Sequence, residues 1–447
     1  MEMNVLSYLA WRANISLRRL RPLMLELKRF PTLPPHAARH DLASRLWAQI
    51  QYFGKRNDAL PEWREAAQMS GPDELWQHWQ RLPIVTKQHL QDHFDPIKMV
   101  AELGLQGKAS STGGSTGEPT RYFHDHAMLR ASMAGQLFVR QEQGWRLGMP
   151  LIRIWGSERD IGRQATLRNR VSLRVQNHWL IDGYRMDEHT VDRVCQLINR
   201  LQPVALMGFT TMLEFFADAC LRRNETFPPG AIRTAWNGGE MLFDHQIELA
   251  KRVFGVPILN NYGGRELLAM AYQTGENTAL KVVRPWLFLE IVDQQGRVVG
   301  PGETGRLIWT STICRGTPFL RYDCGDLGTY QAEHCDESGI YCISQLEGRS
   351  AGLIKLPSGK SINNIFWNHL LKEYPAVKQF QVAVLPGPRV ELRLCGTPFS
   401  ESQDREVRNL LFQLLEGLPS DIKWVPAISR TAQGKLVQVV QEPEPVT

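Results

Sequence analysis

The sequence has no C-x-x-C pair, and its seven cysteines (Cys195, Cys220, Cys314, Cys324, Cys335, Cys342, Cys395) are odd in number and scattered. Both facts argue against a disulfide framework and fit a reducing, cytoplasmic setting. No apolar run approaches the roughly 20 residues of a membrane-spanning helix. The N-terminus carries Glu2 and scattered arginines where a signal peptide would carry a charged start and an apolar block. Neither a membrane span nor a signal peptide is expected. Long tracts of one charge sign are also missing: 52 Lys and Arg against 46 Asp and Glu leave a net charge of +6, interspersed along the chain. That pattern argues against a dedicated nucleic-acid binder. There is no internal repeat or low-complexity segment. His334, Cys335 and Cys342 lie close in sequence but lack a fourth ligand nearby, so no zinc is expected there.

What is present is ordinary globular material, with 43% hydrophobic and 22% charged residues. A length of 447 residues exceeds what one core usually organises, so more than one domain is expected. Residues 1 to about 100 read as a helical lead-in, broken early by Pro31, Pro34 and Pro35. The densest basic stretch, Arg12 to Arg29, interleaves Arg18, Arg19, Arg21, Lys28 and Arg29 with leucines at helical spacing. A solvated helix face is the favoured reading, with peripheral contact to an anionic membrane through residues 12–29 as the alternative.

From about residue 150, β-type runs such as Leu151–Trp155 and Val204–Met207 alternate with helical patterns at Asp187–Arg200 and Thr211–Arg223. The alternation implies an α/β sheet with crossover helices. Between about 280 and 345 the texture turns strand-rich, with Leu287–Val292, a turn at Asp293–Gly296, and a run from Gly305 to Trp309. After Gly348-Arg349 a smaller unit begins, including a helical Asp404–Glu416 segment. The expected architecture is therefore a large N-terminal α/β domain, residues 1–347, with a β-rich subdomain, followed by a small C-terminal α+β domain, residues 348–447.

Chemistry enters at Ser110-Ser111-Thr112-Gly113-Gly114-Ser115-Thr116-Gly117-Glu118-Pro119. Glycines let a loop turn its N–H groups inward and hydroxyls add donors, which suits a polyphosphate. It is not the G-x-x-x-x-G-K-[ST] loop, because no Lys follows the glycines. Four further segments follow in order: Trp236-Asn237-Gly238-Gly239-Glu240 with Asn260-Asn261-Tyr262-Gly263-Gly264-Arg265-Glu266; Arg321-Tyr322-Asp323-Cys324-Gly325-Asp326; Gly348-Arg349; and Ser429-Arg430-Thr431-Ala432-Gln433-Gly434-Lys435.

Taken together, these segments resemble the motifs of the adenylate-forming enzymes, and most closely those of the phenylacetate-CoA ligase and capsule-cluster subgroup, over about residues 105 to 440. The resemblance implies ATP-dependent activation of a carboxylic acid as its acyl-adenylate. It implies that Ser111, Thr112, Gly113, Gly114, Ser115, Thr116 and Gly117 hold phosphates. Gly238, Gly239, Glu240, Asn261, Tyr262 and Gly263 would flank the adenine, and Asp326 would accept the ribose hydroxyls. Glu266 would be a Mg²⁺ ligand, Arg349 would open the mobile C-terminal domain at the active site, and Lys435 would be the catalytic lysine. Trp155, Phe209 and Gly238 would lie near the acyl pocket and suit an apolar or aromatic acid. Each role is physically reasonable: an aromatic ring offers a stacking face, Mg²⁺ takes carboxylate oxygens together with phosphates, and a mobile ammonium stabilises charge as pyrophosphate leaves.

The sequence departs from the pattern at several positions, of which the first shifts phosphate neutralisation toward Mg²⁺ and Lys435 and the last bears on the second half-reaction. Glu118 stands where many relatives carry Lys, Cys324 where they carry Thr, and Ala351 where they carry the aspartate about which the small domain turns. Relatives in this subgroup often hold a structural zinc after the acidic motif, but Tyr272-Gln273-Thr274-Gly275-Glu276-Asn277 offers no Cys or His, so none is expected. The resemblance implies coenzyme A as the usual acyl acceptor. Transfer to an amine or hydroxyl, or a catalytically silent nucleotide-binding homologue, stays open. A homodimer is one option for the oligomeric state, which the sequence does not specify.

Overall fold

A computed structural model of the chain describes residues 15–56, 58–111, 120–155, 171, 173–183, 187–275, 277–349, 354–356, 361–362, 367, 371, 374–387, 389–429 and 436–442. The chain divides into two compact units, Met1–Cys324 with Thr329–Gln345, and Gly325–Gly328 with Leu346–Thr447.

The first unit opens with helices, as the sequence leads one to expect. α1 (Ile15–Arg29) turns Leu20 and Leu27 inward, while Arg19, Arg21, Lys28 and Arg29 are exposed. Arg19, Arg21, Lys28 and Arg29 thus lie on an exposed face with an apolar back. α2 (Pro35–Phe53) follows, then short helices up to Leu103. None of the described helices is long and apolar enough to cross a membrane. β1 (Gly107–Ser111) pairs antiparallel with β2 (Arg121–Asp125), Ser111 opposite Arg121, and thereby fixes both ends of the Gly/Ser/Thr segment. Residues 112–119 of that segment lie outside the described residues. Asp125 starts α3 (His126–Glu142) by accepting the backbone N–H of Met128 at 2.9 Å.

A five-stranded sheet forms the centre of this unit. Its strands are β3 (Leu151–Trp155), β4 (His178–Asp182), β5 (Val204–Gly208), β6 (Ile232–Asn237) and β7 (Ile258–Leu259), in the order β4-β3-β5-β6-β7 and all parallel. Crossovers are made by α4 (Glu188–Leu201), α5 (Thr210–Arg222) and α6 (Asp244–Phe254). Strand alternation divides the side chains between two faces. Ile152, Ile154 and Leu206 pack with Val194, Leu213, Phe216 and Phe254 of these three helices. Leu151, Ala205 and Trp236 pack on the other face with Leu137 and Phe138 of α3 and Leu27 of α1. Parallel strands covered on both faces read as near-continuous apolar runs, which is why β3 and β5 are visible in the sequence.

The strand-rich texture after 260 resolves into β8 (Asn261–Gly264), β9 (Leu268–Tyr272), β10 (Leu280–Val282), β11 (Leu287–Val292), β12 (Gly305–Ser311) and β13 (Tyr322–Thr329). β8 and β9 form a tight antiparallel pair in which a Cβ on Gly263 would sit 2.2 Å from the Leu268 carbonyl oxygen, so only glycine fits. β11 pairs antiparallel with β12 along its whole length. Beneath them Arg321, 2% exposed, donates to both Glu290 carboxylate oxygens (3.0 and 3.1 Å) and to the carbonyls of Gln80 and Leu82. Trp79 Nε1 adds a third donor to Glu290 at 3.0 Å. A buried ion pair of this kind is satisfied only as a complete network.

The second unit contains a four-stranded sheet: Val377–Leu385 antiparallel to Arg389–Gly396, with Ser420–Trp424 and Val439–Gln441 adding parallel at the two edges. The helix expected at Asp404–Glu416 runs Glu401–Leu414; Ser400 Oγ accepts from the Gln403 backbone N–H and sets the earlier start. Val407, Leu411 and Leu415 close the core over Val382, Leu392 and Leu394.

Candidate functional site

Parallel strands deliver their loops at their carboxyl ends, where α/β folds bind ligands. β3 ends at Trp155, β5 runs into Phe209, β6 ends at Asn237 and continues into Gly238-Gly239-Glu240, and β7 leads into β8 at Asn261. The Trp155 and Phe209 rings stack with centroids 4.1 Å apart. The Gly238 N–H donates to the Gly208 carbonyl at 3.0 Å, and a Cβ on Gly238 would lie 3.3 Å from the Trp155 ring. Trp155, Phe209 and Gly238 are therefore neighbours, although 54 and 29 residues separate the first two and the last two.

Asn237, fully buried, is the junction of this edge. Its Nδ2 donates to Thr210 Oγ1 and to the Glu240 carbonyl, both at 3.0 Å, and its Oδ1 accepts the Asn261 backbone N–H at 2.8 Å. One amide thus ties the start of α5, the glycine loop and β8 together. Gly239 sits at φ +77°, a left-handed value that favours glycine. The Glu240 carboxylate accepts from the Thr211 N–H and hydroxyl, both at 2.9 Å. It caps the first turn of α5 and complements that helix's positive end. This is a structural task that sequence reading did not assign to it.

Along β8, Asn261 pairs with Gln143, which donates to it at 2.7 Å and accepts from it at 3.3 Å. The Tyr262 hydroxyl lies 3.4 Å from Cys324 Sγ and its ring 6.0 Å from that of Trp309. Just beyond, the Tyr322 hydroxyl donates to Glu266 Oε1 at 3.4 Å, and His124 Nε2 lies 2.6 Å from the Glu266 carbonyl. Burial outweighs these partners and lowers the His124 pKa, so the ring is neutral and donates from Nε2. Burial and the nearby Glu266 charge raise the Tyr322 pKa, keeping its hydroxyl a donor. Glu266 is thus gripped at its backbone carbonyl and at Oε1.

Among the described residues no group of three or more His, Cys, Asp or Glu is arranged to hold a metal. A lone carboxylate nonetheless fits Mg²⁺, which takes one or two carboxylates and completes its shell with water and substrate phosphates. Asp326 lies on β13 as a partly exposed strand residue of the second unit, not in a turn. Ser111 ends β1, and the backbone of Arg349 ends the strand Gln345–Arg349. Thr112, Gly113, Gly114, Ser115, Thr116, Gly117, Ala351 and Lys435 lie outside the described residues. Sequence reading missed Asn237, His124, Gln143 and Tyr322 as positioning groups. Asn237 and Tyr322 sit inside the quoted motifs and could have been found there, but His124 and Gln143 carry no local signal.

Residues 111–314 match the family of AMP-binding enzymes. The chain is 24% identical over 280 residues to Protein CapK of Staphylococcus aureus, a match covering 62% of this chain and 59% of that protein. The chain thus spans somewhat under two thirds of that relative's length. Among solved structures, 2-hydroxyisobutyryl-CoA ligase in complex with R3-HIB-AMP aligns with a TM-score of 0.68 at 16% identity, covering 92% of this chain and 91% of the other. The amide bond synthetase McbA from Marinactinospora thermotolerans aligns with a TM-score of 0.53 at 19% identity, over 73% and 66% of the two chains. The fold is the α/β fold of adenylate-forming ligases.

Proposed function

Starting from an AMP-binding enzyme match on the fold of adenylate-forming ligases, we propose that the chain activates a carboxylic acid with ATP and passes the acyl group to coenzyme A. In the first step a carboxylate oxygen of the acid attacks the α-phosphorus of ATP, the bond to pyrophosphate breaks, and an acyl-adenylate forms. In the second the thiolate sulfur of coenzyme A attacks the acyl carbon and AMP leaves. The observation that carries this reading is the Asn237 junction, which draws the glycine loop, β8 and the start of α5 to the carboxyl edge of the parallel sheet.

Gly238 and Gly239 have no side chain to block a planar base that approaches the backbone, and by resemblance Tyr262 supplies the aromatic face for that base. Trp155 and Phe209 present an apolar surface for the acid. Glu266, oriented by Tyr322 and His124, would hold Mg²⁺, which neutralises phosphate charge. By resemblance Ser111 and the Thr112–Gly117 loop contribute phosphate donors, Asp326 accepts the ribose hydroxyls, and Arg349 and Lys435 are the active-site cations of the small domain. Transfer to an amine or hydroxyl acceptor is the competing second step, favoured by Ala351 at the position where relatives carry the hinge aspartate. ATP–pyrophosphate exchange over a panel of carboxylic acids tests the first step. Acid-dependent exchange supports the reading, and ATP binding without exchange for any acid makes the chain a silent homologue.

A further inference from the structure

The scattered cysteines carry no pairing signal in the sequence, yet the fold brings two of them together. Cys195 lies on α4 and Cys220 on α5, 25 residues apart in the chain, with their Sγ atoms 3.9 Å from one another. Both are free thiols buried in the apolar cluster on that face of the parallel sheet. An ion pair on the surface holds the same two helices side by side. Arg223, three residues after Cys220, donates to Asp192, three residues before Cys195, and lies 3.2 Å from Glu188. Three residues are about one helical turn, so the thiols are kept facing each other by a clamp one turn away on each helix.

The two sulfurs are not equivalent. The Cys220 S–H donates to Cys195 Sγ and lowers the Cys195 pKa against its burial, with Arg223 assisting and Glu225 and Asp192 opposing. The same hydrogen bond and burial push Cys220 up. A lone buried thiol is an apolar filler. A thiolate-prone sulfur in contact with a second thiol is instead the arrangement of an oxidisable cysteine and its resolving partner.

We propose that Cys195 and Cys220 form a modification site that hydrogen peroxide closes to a disulfide, clasping α4 to α5, and that thiol reductants reopen it. In the first step the Cys195 sulfur attacks one peroxide oxygen, the O–O bond breaks, and the departing hydroxide takes the Cys195 proton and leaves as water. Cys195 is then a sulfenic acid. In the second step the Cys220 sulfur attacks the Cys195 sulfur, the S–O bond breaks, and hydroxide takes the Cys220 proton and leaves as a second water. Two thiols are oxidised and one peroxide is reduced. A disulfide needs its sulfurs about 2 Å apart, so closure from 3.9 Å asks each to move by about 1 Å. The chain between the two cysteines carries β5 and Phe209, and the clasp therefore joins the ends of the segment that supplies one wall of the candidate site. The inference does not depend on the adenylation reading.

The test treats the reduced, folded full chain with hydrogen peroxide, alkylates the remaining thiols in denaturant, and maps cysteines by peptide mass spectrometry. A parallel sample of glutathione confirms that the oxidant acts. The peptides carrying Cys195 and Cys220 should be recovered linked to each other, and dithiothreitol should return both as free thiols. In Cys220→Ala, Cys195 should stop at the sulfenic acid and be trapped by dimedone. In Cys195→Ala, Cys220 should be oxidised at least about tenfold more slowly than Cys195 is in Cys220→Ala, since each pKa unit changes the thiolate fraction tenfold. Circular dichroism identifies any variant that fails to fold, and the wild-type map then decides alone. Recovery of both residues as alkylated thiols after glutathione is fully oxidised, a link that forms only in urea, or linkage to other cysteines would overturn the proposal and make the pair inert core residues.

Discussion

Asn237 Oδ1 accepts the backbone N–H of Asn261 at 2.8 Å, joining two segments 24 residues apart at the carboxyl edge of the parallel sheet. Because the same amide donates to Thr210 and to the Glu240 carbonyl, it fixes three walls of the proposed nucleotide site at once. Asn237→Ala should leave those groups without their buried partner and cost about 2–4 kcal/mol of stability, within the range for unsatisfied buried polar groups. Urea denaturation measures that loss, and calorimetry should show weaker ATP binding even where the variant remains folded.

A methyl group on Gly238 would lie 3.3 Å from the Trp155 ring and 3.9 Å from Met207, tight enough to displace the indole. Gly238→Ala should therefore raise KM for the acid by about tenfold, because a small shift of a positioning wall is felt in the bound geometry. Steady-state kinetics at saturating ATP, with thermal unfolding as the control, separates this from a folding defect. An unchanged KM for every acid would remove Gly238 from the acyl site.

His178 gives the protein a pH signature. Its ring is held from 6.5 to about 3 by burial first, and by Arg140 and Arg153 next, so the folded state stays neutral where the unfolded state takes up a proton. Stability from this group is present above about pH 6.5 and is lost as pH falls toward 3. His178→Gln should flatten the decline of the urea midpoint over that window, by at most about 1.4 kcal/mol per pH unit. Parallel slopes for the two proteins would show that the ring is protonated in the folded state.

Arg321 makes a separate claim about stability, because it answers a fully buried Glu290. Burial raises the Glu290 pKa despite its partner. Arg321→Met alone should cost about 3–5 kcal/mol, the cost of stranding a buried charge, whereas Arg321→Met with Glu290→Leu should recover most of that loss. Denaturant unfolding of the two variants decides it. Equal losses would mean that the arginine's contacts to Gln80 and Leu82, not the ion pair, hold this region.

Much of the fold was legible because local pattern and tertiary role agree. β3 and β11 fall on the apolar runs read from sequence, and Asp187 caps α4 at the start of its helical pattern. The candidate site was legible where one segment carries several functional residues, as in 236–240 and 260–266. Its supporting contacts were not. His124 reaches the Glu266 carbonyl across 142 residues, and Gln143 meets Asn261 across 118. No spacing rule connects such pairs; only the folded sheet does. Glu240 carries a task that its motif does not announce: its carboxylate accepts from the Thr211 N–H and hydroxyl at the start of α5.

The central claim is that the chain makes an acyl-adenylate with Lys435 as its catalytic ammonium, and acid-dependent ATP–pyrophosphate exchange in wild type and Lys435→Ala tests it most directly. The account predicts exchange in the wild type for at least one acid, a fall of about a hundredfold or more in the variant, as for loss of one preorganised charge donor, and nearly equal ATP affinity in both. Exchange in Lys435→Ala within about tenfold of wild type, or no exchange with any acid in protein that binds ATP, would contradict it.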